Sequence, residues 1–150
     1  MLGLTRMADA CGIVFGPTSQ VNVHSLVAST PFMLVVNPSV PATSVREFIA
    51  YIKANPGKVH MGNSGTGSFV HLTSALLGIM AGADITHVAY KGGNPAQLDL
   101  MAGNVQMMIT QPNSKDLITT GKMRALAVSS AKRSQYYPDL PTVAEAGVPG

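Results

Sequence analysis

The sequence predicts an α/β fold built around a parallel sheet. Three observations carry that expectation. Short apolar runs of strand length alternate with segments of helical period from about Leu26 onward. Helix-start and helix-stop signals fall between them, at Ser44 with Glu47, Asn55-Pro56-Gly57, Asn94-Pro95 and Gly103. Glycine-rich turns at Gly62–Gly67 and Gly92-Gly93 follow apolar runs directly. Strand and helix alternating at this spacing imply βαβ units with right-handed crossovers.

Each element follows in order. Phe32 to Val36 reads as a buried strand closed by Asn37-Pro38. Ser44 and Glu47 form a capping box, each side chain able to satisfy the other's free backbone N–H. Val45, Phe48, Ile49 and Ile52 then fall at helical spacing until Asn55-Pro56-Gly57 stops the helix. Val59-His60-Met61 is a second strand. A helix from about Ser68 to Met80 sets Phe69, Leu72, Leu76 and Ile79 on one face, an apolar stripe of the kind that meets a core. Ile85 to Ala89 is a third strand, and Tyr90-Lys91-Gly92-Gly93 a loop. Asn94 as N-cap with Pro95 at the first helical position starts the next helix, which Leu98, Met101 and Ala102 line. A strand over Val105–Ile109, a short helix over Ser114–Thr120, a strand over Met123–Val128 and a helical turn or two over Pro141–Ala146 complete the series. Residues 1–24 have weaker periodicity and fit the scheme least well.

Composition excludes several classes. The chain has 150 residues, a formal net charge of +3, 46% apolar and 11% charged residues. High hydrophobicity with low net charge is the reverse of the disordered signature, and the length suits one domain. No stretch approaches the ~18 uncharged apolar residues of a membrane helix. The ten cations are scattered and aromatic residues make up 5%, so nucleic acid is not an expected partner. The single cysteine, Cys11, forms no internal disulfide. Arg6 and Asp9 interrupt any apolar h-region, so no export signal is visible.

In open α/β sheets ligands sit beyond the carboxyl ends of the strands, at helix N-termini. The loops so placed are Asn63 to Gly67, Tyr90 to Asn94 and Thr110 to Asn113. In the first, Gly65 and Gly67 let backbone N–H groups approach an anion, and the Ser64, Thr66 and Ser68 hydroxyls add donors. A tight turn that merely needs small residues reads the same stretch without a ligand. His71, one turn further on, can reach a ligand or serve as a structural hydrogen-bonding group. Lys91 beside Gly92 and Gly93 can help to hold an anion or simply solvate. Asp84 and Asp99 read as solvent-facing, and the nine methionines as core filler.

Sharper motifs fail at named positions. Ser68 stands where a phosphate loop needs lysine, and Val70 where a dinucleotide fingerprint needs its third glycine. Thr66 stands where a nucleophile elbow around Ser64 needs glycine. Histidines 24, 60, 71 and 87 lack metal-ligand spacing, so neither a metal nor a cofactor is expected. No nucleophile is paired with a base, which leaves binding without catalysis as the expectation.

The motifs together resemble a family. They are Ser29-Thr30-Pro31 with Leu34–Pro38, the Ser-Gly-x-Gly loop at 64–67 with His71-Leu72, and His87–Gly93 with Pro95-Ala96. Asp99-Leu100 with Gly103, Gly121–Val128, Ala131–Ser134 and Pro138–Gly147 continue the series. In this order and spacing, residues 26–150 closely resemble the Bug (TctC-like) family, the extracytoplasmic substrate-binding receptors of tripartite tricarboxylate transporters.

The resemblance implies a two-lobed, periplasmic-binding-protein-like (type II) fold that closes on small carboxylates, a periplasmic location and membrane permease subunits as partners. It places Ser64, Gly65, Thr66, Gly67, Ser68, His71, Tyr90, Lys91, Gly92, Gly93 and Thr110 in the ligand-binding region. Thr110 stands where many members carry aspartate, a departure from the usual ligand preference, for instance for amino-acid-like substrates. Members are about twice as long, so residues 25–150 correspond to the second lobe, with 1–24 a divergent segment and the first lobe largely absent. A chain of one lobe is expected to bind weakly or not at all. The competing expectations are a small α/β hydrolase using Ser64 and His71, and a non-binding remnant whose exposed face self-associates.

Overall fold

The computed structural model describes residues 32–111 and 115–147. The divergent segment 1–24, the Ser29–Pro31 motif and Pro112-Asn113 lie outside them. The elements are β1 (Met33–Val36), α1 (Val45–Ala54), β2 (His60–Asn63), α2 (Phe69–Ala81), β3 (Thr86–Ala89), α3 (Gly93–Ala102), β4 (Met107–Thr110), α4 (Lys115–Thr119) and β5 (Arg124–Val128). The fold class is the α/β one expected.

One five-stranded sheet, ordered β3-β2-β4-β1-β5, forms the middle layer. β2 pairs in parallel with β3 and β4, whereas β1 runs antiparallel to β4 and β5. All strands but β1 therefore point the same way. Asn63, Ala89, Thr110 and Val128 end at one edge of the sheet, where β1 begins at Met33, in register with both Thr110 and Val128. A short apolar run such as Phe32–Val36 buries equally well in either direction, so periodicity does not reveal the reversal.

Every residue of β1 and β4 is buried, because both sheet faces are covered. On one face Leu34, Val36, Met61, Met107 and Ile109 pack with Phe48 and Ile52 of α1 and Val70 and Leu77 of α2. On the other, Met33, Val35, Met108 and Val128 pack with Ala96 and Leu100 of α3, flanked by Leu117 and Ile118 of α4. Met33, Met61, Met107, Met108 and Met123 are core residues, as expected of filler.

Local signals are realised with specific differences. Ser44 caps α1 by accepting the Glu47 N–H at 3.2 Å, but Glu47 reaches back to the N–H and hydroxyl of Thr43, each at 2.8 Å. Those bonds, the backbone one foremost, hold the Glu47 carboxyl below its ordinary range. α3 begins at Gly93 rather than after Asn94, with Gly92 as N-cap. Pro95 thus sits inside the first turn, where its missing N–H has no intrahelical partner to lose. The Pro141–Ala146 segment, expected as a helical turn or two, forms turns over residues 143–147. Its Thr142 and Glu145 exchange capping-box bonds at 3.1 Å, and Arg133 pairs with Glu145 at 2.9 Å.

The largest departure concerns α2. Phe69, Leu72, Leu76 and Ile79 are 59%, 60%, 55% and 78% exposed, and the helix instead buries Val70, Ser74, Leu77 and Gly78. Small residues decide this. A Cβ on Gly78 would stand 3.1 Å from the Ala83 carbonyl and 3.4 Å from Ile85 Cδ1, so only this face allows so close an approach.

Candidate functional site

The carboxyl ends of β2 and β4 and the N-termini of α2 and α3 meet at one edge of the sheet. Between them lies a cavity of about 350 Å³, lined by Ser64, Gly93, Asn94, Gln97, Thr110 and Gln111, with Phe32, Phe69, Val70, Met108 and Ile109 as its apolar wall. Its size and its few convergent polar groups are those of a small-molecule site. Phe32 and Phe69 sit together there, ring centroids 4.9 Å apart. A concavity of about 600 Å³ around Lys115, Arg124 and Tyr136 lies toward the opposite edge, where β5 begins.

The two helix N-termini differ in what they leave available. At α2, the Ser68 hydroxyl accepts the His71 N–H at 3.2 Å. Gly67 N–H donates to His71 Nδ1 at 3.2 Å, and Gly65 N–H to Asn63 Oδ1 at 3.0 Å. Both glycines hold positive φ, 128° at Gly65 and 79° at Gly67, which opens the loop to these bonds. The amides expected to face an anion are thus already held by the chain's own side chains. At α3 the N-cap is Gly92, with φ 110° and no side chain to bond the terminus, and among the described residues no other side chain is bonded to the Gly93 or Asn94 N–H.

The expected residues therefore divide. Ser64, Gly93 and Thr110 line the cavity, Thr110 being 8% exposed at the end of β4. Gly65, Thr66, Gly67 and Ser68 form the wall-bearing loop and cap, and His71 points back onto that loop. Lys91 is exposed and is not among the lining residues. Tyr90 turns away: its hydroxyl donates to Asp99 Oδ2 at 2.7 Å, and its ring lies 3.6 Å from where a Cβ on Gly62 would stand. Asp99 also accepts from Asn104 at 3.1 Å, so it is a structural acceptor rather than a free surface charge.

Asn94 and Gln111, in two of the expected ligand loops, line the cavity, and Phe69 and Gln97, which lie outside those loops, join them. Asn94 and Gln97 sit in the first turn after the Gly92-Gly93 loop, a position that itself marks them for a ligand. Beneath the loop, Asn63 is 1% exposed and its Nδ2 has no hydrogen-bond partner. Swapping its amide ends would set Nδ2 against the Gly65 N–H, so the orientation is fixed.

Among the described residues no histidine ring is hydrogen-bonded to the Ser64 hydroxyl. An esterase would need a ring nitrogen bonded to that hydroxyl, and His71 Nδ1 takes the Gly67 N–H instead. Among the described residues no group of three His, Cys, Asp or Glu side chains is placed to hold a metal, and no helix is long and apolar enough to cross a membrane.

The family model for the tripartite tricarboxylate transporter family receptor, TctC, matches residues 10–150. The chain belongs to this receptor family. Protein BugT of Bordetella pertussis is 40% identical over 126 residues, covering 83% of this chain and 39% of that protein. A Pseudomonas protein from a tcbD-tcbE intergenic region is 39% identical over 127 residues, 83% of this chain and 38% of that one. Among solved structures, R. palustris Rpa4515 with adipate superimposes at TM-score 0.78 and 44% identity, covering 81% of this chain and 41% of that one. MatC from Rhodopseudomonas palustris with bound malate does so at 0.75 and 29%, covering 80% and 41%. The periplasmic binding protein BugD gives 0.75 and 35% over 81% and 41%. The fold is thus that of Bug/TctC periplasmic binding proteins, and the chain spans about two fifths of the length of these TctC receptor relatives.

Proposed function

We propose that this chain is the second, ligand-binding lobe of a non-enzymatic receptor that captures small di- or tricarboxylates in the periplasm for a tripartite uptake system with membrane permease subunits. One observation carries the reading. The α3 N-terminus, capped by a glycine without a side chain, faces a cavity with Ser64 and Thr110 in its wall. Unclaimed N–H groups at a helix start attract a carboxylate, and hydroxyls complete its hydrogen bonds. The adipate bound to Rpa4515 and the malate bound to MatC support the ligand class.

One lobe supplies half the contacts, so binding to this chain is expected to be weak, and amide shifts in an NMR titration with malate and adipate are the suitable readout. The amides of Ser64, Gly93, Asn94 and Thr110 should move together, and Ser64→Ala and Thr110→Val should each weaken binding by about tenfold, or ~1.4 kcal/mol. Unmoved amides at saturating ligand, or variants that bind as well as the parent, overturn the reading. The exposed α2 face favours one alternative, a self-associating remnant. A dimer by light scattering with no ligand-induced shifts would support it.

A further inference from the structure

We infer that Phe32 and Phe69 form a specificity-determining wall of the cavity: the ligand presents one carboxylate to this lobe and lays an alkyl chain on the two rings. Acids with a hydrocarbon body are thereby preferred over short hydroxylated or tricarboxylic ones. The inference rests on the carboxylate reading and narrows its substrate class.

Charge sets the first limit. Among the described residues that line the cavity none is ionisable, and its polar members are Ser64, Asn94, Gln97, Thr110 and Gln111. A helix N-terminus amounts to about half a positive charge, which favours one carboxylate group there. A second carboxylate drawn into the same space loses its water and meets no cation in exchange, so its desolvation is not offset.

The apolar lining sets the second. Val70, Met108 and Ile109 are 8%, 3% and 5% exposed, so they form a floor fixed by the core. Phe32 is half-buried and packs against the core cluster that holds Val70 and Ile109. Phe69 is 59% exposed at the first position of α2, yet its ring lies against Phe32, centroids 4.9 Å apart and planes at 44°. Both rings line the cavity, where an alkyl chain laid on them leaves water and covers Phe69 as well. A hydroxyl or carboxylate in the same place finds no hydrogen-bond partner on either ring.

The test is an NMR titration of the full 150-residue chain with propionate, butyrate, pentanoate and hexanoate, and with malate, citrate and the neutral isostere hexanamide alongside. The amides of Gly93, Asn94 and Thr110 and the Met108 methyl report binding. Affinity should rise about threefold per added methylene, close to the value for a buried CH₂. Hexanoate should bind about tenfold more tightly than malate or citrate. Phe69→Ala, at an exposed position, should keep the urea midpoint of the parent and bring hexanoate down to the affinity of propionate. Leu72→Ala, equally exposed on α2 but outside the cavity, should keep the full series. A series that is flat in the parent, a steep one that survives Phe69→Ala, or malate bound as tightly as hexanoate overturns the inference and leaves carboxylate binding standing. Hexanamide bound as tightly as hexanoate, with the series still steep and dependent on Phe69, keeps the wall and removes the carboxylate reading. Signals unmoved by every compound remove both.

Discussion

The Tyr90 hydroxyl donates to Asp99 Oδ2 at 2.7 Å and so fastens the loop after β3 onto α3. Burial and then this bond push the Tyr90 phenol up to about 12. The Tyr90 bond first, and Asn104 second, hold the Asp99 carboxyl below its ordinary range. Tyr90→Phe should lower stability by about 1 kcal/mol, read from the urea midpoint. The malate-induced shifts at Ser64 and Gly93 should persist. A tenfold loss of binding without a stability change would mean that the hydroxyl faces ligand.

Leu77 and Ile79 lie near each other on α2 yet differ in surroundings, 9% against 78% exposed. Leu77→Ala should cost about 2–4 kcal/mol through the cavity it leaves. Ile79→Ala should stay within about 0.5 kcal/mol, as for surface sites. Thermal unfolding of the two variants compares them directly, and equal losses would refute the orientation of α2.

Asn37 ties the end of β1 to the end of α3. Its Nδ2 donates to the Leu100 carbonyl at 2.6 Å, and its Oδ1 accepts the Ser39 N–H at 2.8 Å. Asn37→Asp would set a carboxylate against that carbonyl at a position 6% exposed. The expected loss is about 3 kcal/mol near neutral pH, with partial recovery as the new carboxyl protonates in acid. Denaturant melts at two pH values would check both parts.

The His87 ring has its protonated form disfavoured in the fold, by burial first and by His71 second. In the unfolded chain the same ring takes a proton near about pH 6.5. The unfolded state therefore binds more protons below that value. The stability contributed by neutral His87 is complete above about pH 6.5 and is lost as pH falls from there through the lower folded value. His87→Asn should flatten the fall in urea midpoint over that window, and an unchanged slope would assign the fall to another group.

Much of the fold was legible because local signals and burial agree. Ser44 marks the start of α1, Gly103 ends α3, and the run Met33–Val36 is buried throughout. The direction of β1 was not legible, since a fully buried strand carries no polarity along its axis. Nor was the face of α2. That helix is apolar nearly all round, so its pattern offers more than one stripe, and Gly78 and Ser74 select the one that can approach the sheet. Of the cavity lining, Ser64, Gly93 and Thr110 were reachable from loop position alone, but the bonding of Tyr90 was not. A tyrosine in a glycine-rich loop looks available until its hydroxyl is seen bonded to Asp99.

By itself the sequence determined the alternation of strand and helix, the loops at the carboxyl ends of the strands and the family motifs. These depend on neighbours within a few residues, where periodicity, caps and glycine conformations act. Only the tertiary structure decided which amides are open. Gly65 and Gly67 are claimed by Asn63 and His71, while among the described residues no side chain is bonded to the α3 terminus that Gly92 caps. A backbone N–H bonds to whatever acceptor the fold brings within about 3 Å, and that acceptor's position is set by packing rather than by the spacing of the glycines.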